Sequence, residues 1–268
     1  MKTNTIAVMG CGWLGLPLAK TLMADGYRIH GSTTSKEKLM LLEDAGIHPF
    51  KISLTEDAII GDIEDFLAKA DTLIINVPPK LRGENNENYV KKMQLLHGAV
   101  QASKVKRIIF VSSTAVYGDI EGEVTEATAP QPATESGRQL LISEAIFRGD
   151  PSLKTTIIRF GGLTGPERHP VTMLSGRKNL SNGNFPINLI HLNDCIKIIS
   201  EILKNSWWGE TLNGVYPYHP TKQEYYTSKA IGKGLQVPDY DAPSVKKGKT
   251  VSSYILTTLK NFEFTTTL

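Results

Sequence analysis

Three glycines, Gly10-x-Gly12-x-x-Gly15, follow the apolar run Ile6-Ala7-Val8-Met9 without a spacer and lead directly into Leu14, Leu18 and Leu22 at helical spacing. Each glycine costs backbone entropy, so three in six residues need a structural reason. Strand, tight turn and helix supply one. Gly10 permits the turn, Gly12 leaves the backbone open to an approaching group, and Gly15 lets the helix lie close on the strand. Ala19 and Met23 fill the same helical face, and Asp25-Gly26 closes the helix.

The same strand-helix texture continues to about residue 160. Further strands are expected at Tyr27-Arg28-Ile29-His30, Thr72 to Val77, Ile108 to Val111 and Thr155 to Phe160, with a weaker one between Pro49 and Leu54. Continuous apolar runs of this length suit strands covered on both faces. Helices are expected from Glu87 to Ser103, with Val90, Met93, Leu96 and Val100 inward, and from Gly137 to Phe147. The pattern predicts an α/β fold with a doubly wound parallel sheet of the Rossmann type. After Phe160 turn formers accumulate, as in Gly161-Gly162-Leu163-Thr164-Gly165-Pro166. The expected division is a dinucleotide-binding domain over 1–160, rejoined by 188–216, and a smaller substrate-binding subdomain within 161–268 at the carboxyl-terminal side.

Composition narrows the function classes. Of 268 residues, 40% are hydrophobic and 21% charged, and no apolar segment approaches the roughly 18 residues that span a membrane. The start of the chain lacks a secretory apolar region and its end lacks a lipidation signal, so a cytoplasmic location is expected. Two cysteines, Cys11 and Cys195, do not make a disulfide framework. The net charge of +3 is mild, and Lys246-Lys247-Gly248-Lys249 reads as a solvated loop because no aromatic residues interleave it. No nucleic-acid partner, membrane partner or metal site is expected. A small-molecule substrate is, and a homodimer is allowed.

In its strand-to-helix context the glycine triplet is a dinucleotide-binding fingerprint, with Gly10, Gly12, Trp13, Leu14 and Gly15 at the pyrophosphate and the helix amino terminus attracting its charge. A ligand-free glycine turn is the alternative. A second strand that binds an unphosphorylated adenosine ribose ends in a carboxylate. Here Thr33 stands at that place, followed by Ser35, Lys36 and Lys38. Hydroxyls and ammonium groups suit a 2′-phosphate, so NADP is the first choice of cofactor and NAD the second. Lys36, Glu37 and Lys38 can also be read as the solvated start of the next helix. Val77 and Pro78, at the end of the strand begun by Thr72, complete the expected cofactor contacts.

Three segments carry a family resemblance: Ser112-Ser113-Thr114-Ala115-Val116-Tyr117-Gly118, Ile158-Arg159-Phe160-Gly161-Gly162-Leu163-Thr164-Gly165-Pro166 and Asn188-Leu189-Ile190-His191-Leu192-Asn193-Asp194. They resemble the extended short-chain dehydrogenase/reductase family, which includes NAD-dependent epimerases and dehydratases acting on sugar nucleotides. Gly12-Trp13-Leu14-Gly15, Ser136-Gly137-Arg138 and Gly165-Pro166-Glu167-Arg168-His169-Pro170 are similar to its atypical YeeZ-like members. The resemblance implies that Ser113 binds a substrate oxygen. It also implies a Tyr-x-x-x-Lys pair, yet Ser136 stands in place of the tyrosine and Leu140 in place of the lysine. A tyrosine of pKa ~10 must fall by ~3 units to work near neutrality, about 4 kcal/mol of electrostatic help that Leu140 cannot give.

Replacement acids or bases are Tyr117, otherwise a packing residue, and His169, which together with Arg168 lies on the loop after the sixth strand. Arg168 suits a carboxylate or phosphate and His169 titration near neutrality, with an ordinary surface loop as the alternative. Ser136, Arg138 and Arg168 are the expected substrate contacts. His191 reads as structural, and Trp207-Trp208 as a turn packed on the sheet. Two functions stay open: an NAD(P)-dependent oxidoreductase or epimerase/dehydratase-like enzyme for a polar, nucleotide-linked sugar, or a catalytically inactive NAD(P)-binding sensor or scaffold.

Overall fold

The computed structural model describes residues 4–79, 81 and 87–268. Met1, Lys2 and Thr3, where the reading of the amino terminus begins, lie outside the described residues. Seven strands form the central sheet: β1 Thr5–Met9, β2 Arg28–Thr33, β3 His48–Lys51, β4 Ala70–Ile75, β5 Arg107–Ser113, β6 Lys154–Phe160 and β7 Thr211–Gly214. They lie in the order β3-β2-β1-β4-β5-β6-β7. The pairings of β1 with β2 and β4, of β2 with β3 and of β4 with β5 are parallel. The amides of Ile157 and Gly161 reach Glu210 and Gly214 in step, so β6 and β7 also run parallel. This is the predicted doubly wound arrangement, and its strand order reverses between β1 and β4, where ligands of such sheets settle.

Helices connect the strands: α1 Gly15–Ala24, α2 Lys38–Asp44, α3 Ile63–Leu67, α4 Tyr89–Gln101, α5 Glu135–Arg148, α6 Pro170–Leu174, α7 Leu192–Asn205 and α8 Lys222–Gly232. The predicted inward face of α1 is the buried one, with Leu18 and Leu22 wholly covered, each worth roughly 1.5–3 kcal/mol. Along α4 the buried residues are Tyr89, Met93, Leu96 and Val100, so Tyr89 takes the place expected of Val90. Asp62, Asn88, Thr134 and Thr221 cap α3, α4, α5 and α8 with their side chains. Such caps are why these helices begin where they do.

The chain sorts into two compact units. The first comprises Met1–Ser113, Thr134–Ile158 and Ile196–Thr211, and the second Thr114–Ala133, Arg159–Cys195 and Leu212–Leu268. Leu189–His191 is a strand, but it pairs with Gly162–Thr164 in a separate two-stranded sheet of the second unit rather than rejoining the central one. In that unit Lys249–Val251 pairs with Gly122–Val124. Val171, Ile187, Leu189, Tyr225, Tyr226 and Ala230 form a core cluster of the second unit.

Candidate functional site

In the first unit the glycine loop meets the carboxyl end of β4. Gly10 has φ +98°, and a Cβ there would stand 2.6 Å from the Asn76 carbonyl oxygen. A Cβ on Gly15 would stand 2.2 Å from the Gly10 oxygen. Both glycines are therefore required by the protein itself. Gly12 differs: its φ is not in the left-handed region and a Cβ would meet nothing within 4 Å. A glycine that neither backbone nor neighbours demand leaves an open cradle of the kind a pyrophosphate fills. α1 starts without a side-chain cap, which leaves its amino end available to an anion. The donor chemistry therefore fits a dinucleotide.

Longer-range bonds that the sequence reading missed hold the loop. The Ser32 hydroxyl accepts the Gly10 N–H at 2.9 Å, and the Asn76 amide donates to the Gly10 carbonyl at 3.1 Å. Cys11, within the loop, is buried, and that burial pushes its thiol up to about 12, so it stays protonated. Trp13 is half-buried and Leu14 buried. At the end of β2 the buried Thr33 hydroxyl accepts the Ser35 N–H at 3.2 Å, a local turn in place of the carboxylate of NAD sites. The Ser35 hydroxyl donates to the Glu37 carboxylate, which holds that acid below its usual range, while Lys36 and Lys38 are exposed. Val77 is half-buried and its carbonyl accepts the Tyr89 hydroxyl at 2.8 Å; Pro78 is exposed.

On α5 of the same unit, Ser136 is half-buried in the first turn and Leu140 is buried. Arg138 is exposed and forks onto Glu135 at 2.7 and 3.0 Å. Gln139 accepts the Tyr89 N–H at 2.6 Å and donates to Glu135 at 2.8 Å, which ties α5 to the start of α4. Ser112, one residue before Ser113 at the end of β5, donates to the buried Glu144 at 2.5 Å. Ser113 is half-buried. The Arg107 guanidinium lies over the Trp208 ring at 5.6 Å, and Thr156 donates to the Trp207 carbonyl, so the tryptophan turn does pack on the sheet edge.

In the second unit the two replacement proton carriers are engaged in structure. Tyr117 is 0% exposed; its hydroxyl donates to Asn213 at 2.8 Å and accepts from Arg159 at 3.1 Å, with the guanidinium 5.0 Å from the ring centre. Burial raises its pKa despite Arg159. Tyr117 is thus engaged in packing and in a buried hydrogen-bond network. His169 is engaged as well. Its Nδ1 accepts the Val171 N–H at 3.1 Å as the cap of α6, which leaves Nε2 to donate to the Tyr225 hydroxyl at 3.2 Å. Burial, then Lys233 and Lys229, bring its pKa down to about 4, so it is neutral rather than titrating near pH 7. Arg168 is exposed in a turn closed by reciprocal backbone bonds with Gly165.

The reading of Lys246 to Lys249 as a solvated loop holds for Lys246 and Lys247 but not for Lys249. Asn188 clamps the backbone of Lys249 and Val251 at 2.9 and 2.7 Å, and Asn184 holds Ser244 and Lys246. The held segment turns Lys249 into a cavity of about 550 Å³, whose lining includes Lys222, Phe185, Tyr226, Asn182 and Asp119. Lys249 donates to the Gly118 carbonyl, and Lys222 lies 5.4 Å from the Phe185 ring centre. Burial lowers both amines, and for Lys249 the nearby Lys222 lowers it further against the opposing pull of Asp119.

The NAD(P)H-binding family pattern matches residues 10–190, from the first glycine through the second unit's minor sheet. Protein YeeZ of Escherichia coli strain K12 is 34% identical over 261 residues, which cover 97% of this chain and 95% of that protein. The uncharacterized UDP-glucose epimerase YtcB of Bacillus subtilis is 22% identical over 60% of this chain and 58% of its own length. UDP-glucuronic acid 4-epimerase from Bacillus cereus, solved in complex with NAD, superposes with TM-score 0.80 over 98% of this chain and 92% of that one, at 17% identity. That last likeness is one of fold. The matched glycine loop, the strand order and the full-length similarity to YeeZ together place this chain in the NAD(P)H-binding family, with the fold of the short-chain dehydrogenase/reductase epimerases and dehydratases.

Proposed function

We propose that the protein binds NADP(H), NAD(H) less tightly, together with a polar, anionic small molecule, and does so without the proton relay of its family. Gly12 carries this reading, because its open position has a use only when a ligand backs onto it. Gly10 to Gly15 would hold the pyrophosphate, and Thr33, Ser35 and Lys36 the 2′-phosphate, where a carboxylate is missing. The bound dinucleotide supplies hydride chemistry in an enzyme; this chain's own groups position it. The anionic ligand belongs in the cavity of Lys222 and Lys249, where these two half-buried amines, with Lys246 also in the lining, outnumber the carboxylates of Asp119 and Glu121. Sugar nucleotides of the kind named in the similar epimerases fit that description. Ser136, Arg138 and Arg168 remain candidate contacts on the grounds of position alone.

With Ser136 and Leu140 in the relay positions, and with Tyr117 and His169 engaged elsewhere, binding without turnover is the expectation. A second reading is favoured by the two lysines: amines lowered by burial can carry a proton. Calorimetry with NADPH and NADH, followed by NADPH oxidation over a panel of UDP-sugars and carbonyl compounds, decides between them. Saturable NADPH binding with no turnover is expected. Turnover that disappears in Lys249→Met would install the lysine enzyme instead, and failure of either dinucleotide to bind overturns the proposal.

A further inference from the structure

The amino-terminal edge of the central sheet, within the first unit, carries a cavity of about 620 Å³. Its lining includes Arg107 at the start of β5, Lys154 at the start of β6, Arg148 at the end of α5, and Trp208 and Gly209 just ahead of β7. The glycine loop lies at the other, carboxyl end of these strands. Three lining side chains are cationic and none is acidic. Arg107 faces the Asp71 carboxylate at 3.5 Å, with both side chains about 40% exposed. Two further acids are close by in sequence: Asp150, two residues after Arg148, whose carboxylate accepts from Gln101 and Ser152, and Glu210, one residue before Thr211.

The walls are held in place. Arg148 donates to the Thr211 hydroxyl at 2.7 Å, the Thr155 hydroxyl to the Phe147 carbonyl at 2.9 Å, and the Thr156 hydroxyl to the Trp207 carbonyl at 2.6 Å. Arg107 is spread over the Trp208 indole. Two guanidinium forks suit the oxygens of a phosphate, and a lysine adds a point charge beside them. The volume lies within the range of about 300–1,000 Å³ typical of small organic ligands, and the indole offers an apolar wall. An inorganic ion alone would leave most of it unfilled.

We propose that this edge is a second ligand site, for a small organic phosphate monoester, held by Arg107, Arg148 and Lys154 against Trp208. It is independent of the dinucleotide reading. Titration calorimetry with glucose 6-phosphate, inorganic phosphate and glucose, each with NADPH present at saturating concentration, tests it. Glucose 6-phosphate should bind saturably, phosphate more weakly and glucose not at all. Arg148→Gln and Lys154→Gln should each weaken the ester roughly tenfold, the loss of one charge-assisted contact. Lys154 is exposed, so its variant tests the site without disturbing the fold. Trp208→Phe should remove the fluorescence change that accompanies binding. Absence of saturable binding overturns the proposal. So does binding that survives both variants but is lost in Lys222→Gln and Lys249→Gln, or phosphate binding as tight as the ester.

Discussion

Gly10 and Gly12 sit two residues apart and are glycine for different reasons. Gly10→Ala puts a methyl 2.6 Å from a carbonyl oxygen at φ +98°, and should cost more than about 1 kcal/mol of stability, read by urea denaturation. Gly12→Ala meets no atom and should leave stability unchanged or raise it by about 0.4–1 kcal/mol, while NADPH affinity falls at least roughly tenfold by calorimetry. A Gly12→Ala protein that binds NADPH normally would remove the main support for the cofactor site. His169 gives a second test at this scale. Its pKa in the folded protein, about 4, lies below the ordinary value of 6.5, so the unfolded chain binds the proton more readily. Its contribution is complete above about pH 6.5 and is lost as pH falls toward 4. The urea midpoint should drop over that interval, and His169→Asn, which can keep the cap, should flatten the drop.

Elements were legible where their signals are local. The α1 stripe and the turn formers around it act within a few residues, so the helix and its closing Gly26 followed from spacing. The caps of α4 and α5 did not, since Asn88 and Thr134 stand in polar stretches with no periodic cue. The contacts that sequence reading missed span long separations: Asn76 reaches Gly10 in the glycine loop over 66 residues, and elsewhere Asp194 accepts from Thr265 and Thr266 over more than 70. The partners of Tyr117 and His169 were not legible for the same reason. The availability of these two side chains depends on Asn213, Arg159 and Tyr225, which only folding brings to them. The Ser112–Glu144 bond joins β5 to α5 in this way, and Ser112→Ala should cost about 1–3 kcal/mol because it strips a buried carboxylate of a donor. Chemical denaturation measures the loss, and a change within 0.5 kcal/mol would show that the bond contributes little.

At the scale of the whole molecule, the two cysteines divide between the units, Cys11 in the first and Cys195 in the second, and both are buried. Burial raises both thiols, so neither supplies appreciable thiolate at neutral pH. Reaction with a thiol reagent should therefore be slow in the native protein and yield two thiols per chain in urea. NADPH should slow labelling of Cys11, whose loop it would cover, more than that of Cys195. Equal protection of both would indicate that ligand binding stabilises the chain as one cooperative whole. The parallel sheet was readable because each strand-helix unit repeats one hydrophobic grammar. Each unit is assembled from three separated stretches, so its bounds are set by contacts far apart in sequence.

The open space around Gly12 also has an evolutionary consequence. Gly10 and Gly15 would survive loss of function, since replacing either harms folding. Gly12 is under no such constraint, so in a lineage that no longer bound its ligand, neutral drift would soon put other residues there. Its persistence or replacement among the relatives of this chain is a record, kept by the genome, of whether the loop is still in use.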